Sequence, residues 1–169
     1  MGTTTPKTLP EIIEGLRGAP DTAVLTLSAL GTIGEGLQCR AAMRTHEIAV
    51  DEPDMLGGTD TGPNPVELIL GGLATCQAIT YRVWAAMTGA ALDDVRVTAE
   101  GDIDLQGFFG LDDAVRPGFR AIRLNVELIG PETEERYREL IEVVDRHCPV
   151  LDIVGNPVPV TREMTCRTA

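Results

Sequence analysis

The sequence predicts a single α+β domain. Residues 68–79 carry no charged side chain and are long enough for a buried helix, whereas residues 119–129 alternate apolar and polar side chains as a half-buried strand does. The predicted order is helix, strands, long helix, two strands, helix and strand, which is not a repeated βαβ unit. The chain has 169 residues, of which 43% are hydrophobic and 24% charged, as expected of one folded globular domain.

The first third of the chain predicts one short helix followed by strands. Residues 9–17 form the helix, with Thr8 as its cap and Pro10 in its first turn. Residues 22–30 are rich in Val and Leu and predict a strand, and residues 34–50 predict one or two more.

The next element is a long central helix that follows a turn-rich loop at residues 51–63. Asn64 is a suitable cap, Pro65 suits the first turn, and Glu67 completes a capping box. We expect the helix to run to about Met87 and to stop at Gly89. Because its middle has no polar face, we expect it to be buried on all sides.

The last part of the chain predicts a strand pair, a helix and a closing strand. The strands are residues 95–105 and 119–129, and the helix opens at Pro131 with an acidic first turn. Residues 149–154 predict a short helix with Pro149 first, and residues 158–164 a final strand. The Pro131 helix carries an apolar stripe at helical spacing, made by Tyr137, Leu140, Ile141, Val144 and Cys148.

The charge of the chain argues against two classes of partner. With 26 acidic and 14 basic residues the net charge is −12, which repels nucleic acid and anionic membranes. Aromatic residues make up 4%, too few for a single-strand stacking platform. Because the N-terminus has no signal-peptide pattern and no stretch is long enough to span a membrane, we expect a cytoplasmic protein.

The four cysteines are the candidate reactive groups. Their spacing fits neither a disulfide scaffold nor a zinc site, and we expect no metal and no cofactor. Cys76 lies inside the central helix, where an isolated thiol would be inert. Cys148 precedes Pro149 and therefore stands at a helix N-terminus, where the helix dipole favours thiolate, and His147 beside it adds charge when protonated. Cys39 and Cys166 have no comparable setting and are expected to be inert.

Two separated motifs resemble those of the OsmC/Ohr family. The first is the loop and helix from Gly57 to Cys76, and the second is His147-Cys148-Pro149-Val150 before a closing strand. The resemblance implies an OsmC-like two-layer subunit, residues 21–169, behind an N-terminal helical extension of residues 1–20. It also implies an intertwined homodimer that reduces organic hydroperoxides or hydrogen peroxide. Cys76 would attack the peroxide, Cys148 would resolve the sulfenic acid, and a dithiol such as a lipoylated protein would reduce the disulfide.

One position departs from the pattern of the family. Its peroxidases carry a glutamate ten residues before the reactive cysteine, paired with an arginine, and here that position is Val66. Glu67 is nine residues before Cys76, and nine residues turn a helix about 180° where ten turn it about 280°, so Glu67 points away. Arg40 and Arg44 are the candidate cations, although solvation at the surface is the simpler account of both.

Two functions therefore remain open from the sequence. One is a thiol-dependent peroxidase that uses Cys76 and Cys148 in defence against oxidative stress. The other is an OsmC-fold dimer without turnover that binds a small ligand or has a structural role. The Cys76/Cys148 pair favours the first, and Val66 favours the second. The glycine-rich loop at residues 57–62 lacks the P-loop pattern and is interpreted as a turn.

Overall fold

The computed structural model describes residues 8–168, and the chain divides into two compact units, Met1–Leu68 and Ile69–Ala169. The mixture of helices and sheets confirms the predicted α+β class. In residues 8–168 no helix is long and apolar enough to cross a membrane. The division at residues 20 and 21 expected from the sequence stays a prediction.

The first unit contains one helix and a three-stranded antiparallel sheet. Helix α1 (Leu9–Gly18) begins as predicted, with the Thr8 N–H donating to the carboxylate of Glu11 at 2.7 Å. The strands are β1 (Leu30–Ile33), β2 (Cys39–Met43) and β3 (His46–Val50), in the order β1-β2-β3. Of the one or two strands expected in residues 34–50, the structure has two, β2 and β3.

The strand predicted at residues 22–30 is wrong. Pro20–Ala23 is a 3₁₀ turn, residues 24–29 have no regular structure, and β1 begins only at Leu30. Leu30 pairs with Ala42, so residues before Ala29 would need partners beyond Met43, where β2 ends. An extended apolar segment forms a strand only when another strand lies beside it.

A buried carboxylate organises the loop that leads to the central helix. Asp51 is 1% exposed and accepts hydrogen bonds from the backbone N–H groups of Glu52, Thr59 and Thr61 and from both threonine hydroxyls. The loop passes so close to its own start that a Cβ on Gly58 would lie 1.8 Å from the Glu52 carbonyl oxygen. The glycine-rich segment is thus a folded turn, as interpreted from the sequence.

Helix α2 (Pro65–Thr88) is the predicted central helix. Asn64 and Glu67 exchange hydrogen bonds at 2.9 and 2.8 Å, which is the predicted capping box, and Gly89 follows the helix with φ +71°. Within the single chain the helix is buried on one face only, contrary to the expectation of burial on all sides. Ile79, on another face, is 65% exposed. The buried positions are Leu73, Gln77, Thr80, Tyr81 and Ala85.

The second unit packs helices on one face of an antiparallel strand pair. The strands β4 (Asp94–Ile103) and β5 (Phe119–Ile129) lie near the predicted bounds, and the short helix α3 (Leu105–Phe108) lies in the connection between them. Helix α4 (Glu134–His147) starts three residues after the predicted start at Pro131, because Thr133 caps it. The core joins α2 and α4 to the connection before β4, through Tyr81, Ala85, Ala90, Leu92, Leu140 and Val144.

The chain ends in a short helix and an extended tail. Helix α5 (Pro149–Gly155) confirms the predicted helix at residues 149–154. The strand predicted at residues 158–164 is wrong, since this segment has no regular structure and Val160 and Met164 are 88% and 83% exposed. As at residues 24–29, β-forming side chains are present without a strand beside them.

Candidate active site

Two thiols meet where α2 passes the junction of α4 and α5. The Cys148 Sγ lies 3.5 Å from the Cys76 Sγ, and both cysteines are free. Cys76 is partly exposed on α2, whereas Cys148 is 1% exposed. A partly exposed thiol thus lies in contact with a buried one.

The local sequence explains how Cys148 reaches this position. Pro149 disfavours the helical conformation at the residue before it, and Cys148 is extended, with φ −82° and ψ 111°. Helix α4 therefore ends at His147, and α5 begins anew with proline in its first turn. The Cys148 carbonyl accepts from the Asp152 N–H at 3.1 Å, which closes the first turn of α5.

The buried setting opposes ionisation of Cys148. Loss of solvent raises the pKa of the Cys148 thiol above its usual value, and the nearby Cys76 sulfur adds to the rise. The backbone N–H groups of Leu151 and Val150 act in the other direction by donating toward the sulfur. Burial is the larger effect, so the resting Cys148 is a protonated thiol.

Sequence analysis missed two buried polar side chains of α2. Gln77 and Tyr81 are both 0% exposed, and Gln77 Nε2, Gln77 Oε1 and Tyr81 Oη have no hydrogen-bond partner among residues 8–168. Burial raises the pKa of Tyr81, and the charges of Asp145 and Cys148 raise it further. Both residues continue the face of Leu73 at intervals of four, but only the structure shows that this face is buried.

An aromatic pair adjoins the buried thiol. The ring of His147 lies 4.3 Å from that of Trp84, centroid to centroid, and its Nδ1 donates to the Val143 carbonyl at 2.7 Å. His147 is exposed. The charge that the sequence suggested for His147 stays a prediction.

An apolar groove lies one turn away from both thiols. Its volume is about 440 Å³, and its walls include Leu73 of α2, one turn before Cys76, and Leu151 of α5, one turn after Cys148. Arg116 and Arg120 also line it. The arrangement places the two sulfurs one helical turn from an apolar surface.

Comparison with known proteins gives the family. The family model described as OsmC-like protein matches residues 58–163, which is more than half of the chain and contains both thiols. The chain belongs to the OsmC-like family.

Known relatives of this OsmC-like chain agree with that assignment. A hydroperoxide reductase from Mycoplasma genitalium is 30% identical over 91 residues, which cover 52% of this chain and 59% of that protein. The match thus spans about three fifths of that relative. Among solved structures, the OsmC-like protein from Mycoplasma pneumoniae has a TM-score of 0.67 at 21% identity, over 78% of this chain and 88% of the other.

A second solved structure gives the same fold. The organic hydroperoxide resistance protein from Elizabethkingia anophelis has a TM-score of 0.61 at 23% identity, covering 77% of this chain and 88% of the other. The OsmC-like fold expected from the two sequence motifs is therefore confirmed. The intertwined homodimer stays a prediction.

The three residues considered from the sequence as possible activators of Cys76 lie in the first unit of the OsmC-like chain. Glu67 caps α2 through Asn64, as interpreted. Arg40 is exposed and pairs with Glu47 at 3.2 Å, and Arg44 lies in the turn between β2 and β3 with φ +56°. Whether either arginine activates Cys76 stays a prediction.

The other two cysteines of the OsmC-like chain, Cys39 and Cys166, lie in different elements. Cys39 is partly buried on β2, and Cys166 is exposed in the tail. Among residues 8–168 no group of three or more His, Cys, Asp or Glu side chains is arranged to hold a metal. Among the described residues, the Cys76/Cys148 pair is thus the best candidate for a reactive site.

Proposed function

We propose that this chain is a thiol-dependent peroxidase that reduces organic hydroperoxides or hydrogen peroxide through Cys76 and Cys148. The observation that carries the proposal is the 3.5 Å separation of the two free sulfurs. Membership of the OsmC-like family supports it, as do relatives named for hydroperoxide reduction and hydroperoxide resistance.

The two thiols differ in a way that favours Cys76 as the first nucleophile. Cys76 is partly exposed, so a peroxide can reach it, whereas Cys148 is buried at 1% exposure. The raised pKa of Cys148 keeps this thiol protonated until a sulfenic acid forms on Cys76 beside it. A reactive thiol needs both access and ionisation, and Cys148 has little of either.

The proposed reaction has three steps. The Cys76 thiolate attacks the terminal peroxide oxygen, the O–O bond breaks, and the alkoxide leaves as an alcohol after taking up a proton. Cys76 is then a sulfenic acid, which Cys148 attacks to form a disulfide, releasing the hydroxyl group as water. A dithiol reductant, of which a lipoylated protein is one class, transfers two electrons and two protons and restores both thiols.

The proposed setting is a homodimer in the cytoplasm. The exposed apolar side chains of α2 favour a second subunit, because an apolar helix face in water is costly. A reducing compartment supplies the dithiol that the cycle requires and keeps the cysteines as thiols between turnovers.

A second candidate function is ligand binding without turnover. Val66 at the position where peroxidases of the family carry glutamate favours it, and so does the apolar groove beside the thiols, about 440 Å³ in volume. In that case Cys76 and Cys148 would be bystanders that remain reduced in the presence of peroxide.

One experiment separates the two candidates. The protein is treated with one equivalent of an organic hydroperoxide and analysed by intact mass and peptide mapping. The peroxidase proposal expects a disulfide within one chain between Cys76 and Cys148. If both remain thiols with excess peroxide while a general thiol reagent modifies Cys76, the binding function takes its place.

A further inference from the structure

Arg116, in the connection between β4 and β5, differs from the other arginines of residues 82–146 because it has no partner. Within residues 8–168 its guanidinium makes neither an ion pair nor a hydrogen bond. The Arg82 guanidinium donates to two backbone carbonyls, and carboxylates pair with Arg96, Arg120, Arg123, Arg136, Arg138 and Arg146. Since the chain has 26 acidic against 14 basic residues, a guanidinium without a carboxylate is available to an anion from solution.

The backbone around Arg116 is held in place by close packing. A Cβ on Gly107 of α3 would lie 2.5 Å from the Arg116 carbonyl oxygen, so the two backbone segments are in direct contact. The Arg116 Nη2 lies 3.5 Å from the position that a Cβ on Gly118 would take. The guanidinium therefore lies along the chain just before β5, where it lines the apolar groove already described.

Arg120 brings a second positive charge to the same place. Arg116 and Arg120 both line the groove and also a neighbouring hollow of about 380 Å³. Arg120 pairs with Asp104 at 3.5 Å, but its side chain is 66% exposed, and exposed pairs of this kind are weak. Two guanidinium groups therefore face the groove with one paired carboxylate between them, which leaves a local excess of positive charge.

The walls of the groove are otherwise largely apolar. They include partly buried side chains of β5 and α5, namely Phe119, Ile122, Leu124, Leu151 and Val154. The volume of about 440 Å³ is in the range of small-molecule sites, which combine apolar walls with a few placed polar groups. Apolar walls beside two cations are complementary to a molecule that has an apolar body and an anionic group.

We propose that this groove binds an amphipathic organic anion, whose carboxylate pairs with Arg116 and whose apolar body lies against β5 and α5. A guanidinium can hold a carboxylate through two parallel hydrogen bonds, and Arg120 adds to the attraction. The inference rests on the proposed function for one step, the conversion of the bound molecule at the thiols. There it names the substrate class: a hydroperoxide that carries a carboxylate is preferred to a neutral one of the same size.

The test compares two probes that differ mainly in charge, with both thiols reduced and no peroxide present. The probes are para-butylbenzoate and its neutral counterpart para-butylbenzamide, titrated into the full chain with labelled Ile, Leu and Val methyl groups and followed by NMR. We expect the benzoate to shift the methyl signals of Ile122, Leu151 and Val154 and to bind about tenfold more tightly than the amide. Added salt should weaken the binding of the benzoate alone.

Arg116→Gln should weaken the binding of the benzoate about tenfold and leave that of the amide unchanged. Arg138→Gln is the matched control, because it removes the same charge from an exposed position on α4 where the guanidinium pairs with Glu134. This control should leave the affinity for both probes unchanged. Equal weakening by the two substitutions would overturn the proposal, since net charge and not Arg116 would then attract the benzoate.

Three other results would also contradict the proposed site. Equal affinity of the wild-type chain for both probes would mean that the groove does not recognise charge. Shifts at Ile122 no larger than those at Ile33, which is 64% exposed on β1, would mean non-specific adherence. Groove methyl signals that neither probe shifts would mean that a second copy of the chain or the protein's own side chains fill the groove. Because no peroxide is used, failure of the peroxidase proposal would be seen separately, as thiols that peroxide leaves reduced.

Discussion

The sulfurs of Cys76 and Cys148 lie 3.5 Å apart although 72 residues separate them in the chain. Two features of the sequence produce this contact. Helices α2 and α4 share a core through Tyr81 and Val144, which fixes how they pass each other. Pro149 then ends α4 at His147, and Cys148 faces Cys76 on α2.

Replacing Cys148 should expose Cys76 to stepwise oxidation by peroxide. In Cys148→Ser, peroxide should convert Cys76 to sulfenic and then sulfinic acid, because no neighbouring thiol is left to trap the sulfenic acid. Mass spectrometry of the peptide containing Cys76 would show the gain of two oxygen atoms. In Cys76→Ser the remaining thiol at position 148 should stay reduced, since it is 1% exposed. A sulfinic acid at Cys148 in that variant would reverse the proposed order of the two thiols.

Formation of the disulfide should accelerate as the pH rises. Burial raises the pKa of Cys148 above the ordinary thiol value, so the thiolate fraction is small at neutral pH and grows with alkali. When sulfenic acid is first formed with limiting peroxide, the rate of disulfide formation should still be increasing beyond about pH 8.5, the usual thiol pKa. A plateau well below that pH would mean that the ionisation of Cys148 is not rate-determining.

The two remaining cysteines should be dispensable. Cys39 lies on β2 and Cys166 in the exposed tail, whereas the two sulfurs in contact are those of Cys76 and Cys148. Replacing both by Ser should change peroxide consumption by less than about tenfold, equivalent to roughly 1.4 kcal/mol of activation free energy. A larger loss, measured by the rate of peroxide disappearance with a dithiol reductant, would assign one of them a part in the reaction.

The buried carboxylate of Asp51 should make the first unit sensitive to acid. The Thr59 hydroxyl, followed by the backbone N–H groups of Thr61, Thr59 and Glu52, holds the pKa of Asp51 well below its usual range. Because the folded-state pKa is lowered, the stabilisation is complete above the usual carboxyl pKa of about 4 and is lost as the pH falls below it. Thermal unfolding followed between neutral and acid pH should show this loss.

Asp51→Asn tests the same carboxylate at neutral pH. The amide presents an NH₂ group to N–H and hydroxyl donors that need an acceptor. The melting temperature should therefore fall by several degrees, and it should vary less with pH in the acid range. Asp54→Asn is the matched control, because Asp54 is exposed in the same loop. An equal effect of both changes would mean that loss of negative charge in general, and not the buried acceptor, lowers the stability.

The sequence predicted most of the thiol site because its signals are local. Capping boxes at Thr8 and Asn64 and the proline after Cys148 define helix ends through contacts within three or four residues. The strand predictions failed where the outcome depends on a distant partner. Residues 24–29 and 158–164 contain the β-branched and apolar side chains of a strand, but no strand within the described residues 8–168 pairs with them.

Gln77 and Tyr81 show a different limit of sequence reasoning. In an uncharged helix, a glutamine and a tyrosine four residues apart are compatible with any degree of exposure, so the pattern alone does not reveal unpaired polar atoms. Only the packing of α4 against that face shows that Gln77 and Tyr81 are fully buried. The sequence thus located the two cysteines, whereas the burial of Gln77 and Tyr81 required the tertiary structure.

The exposed apolar face of α2 predicts that the chain assembles into a dimer. Ile69 and Ile79 are 47% and 65% exposed there, and Val24 and Val160 in the two unpaired segments are 85% and 88% exposed. We expect light scattering at micromolar concentration to give a homodimer, with an interface above about 1,000 Å². Burying one isoleucine contributes roughly 1.5–3 kcal/mol, and a two-fold interface buries it twice. Ile79→Asp should therefore yield monomers, whereas Ile79→Val keeps an apolar side chain and should remain dimeric. A wild-type monomer at that concentration would refute the predicted homodimer.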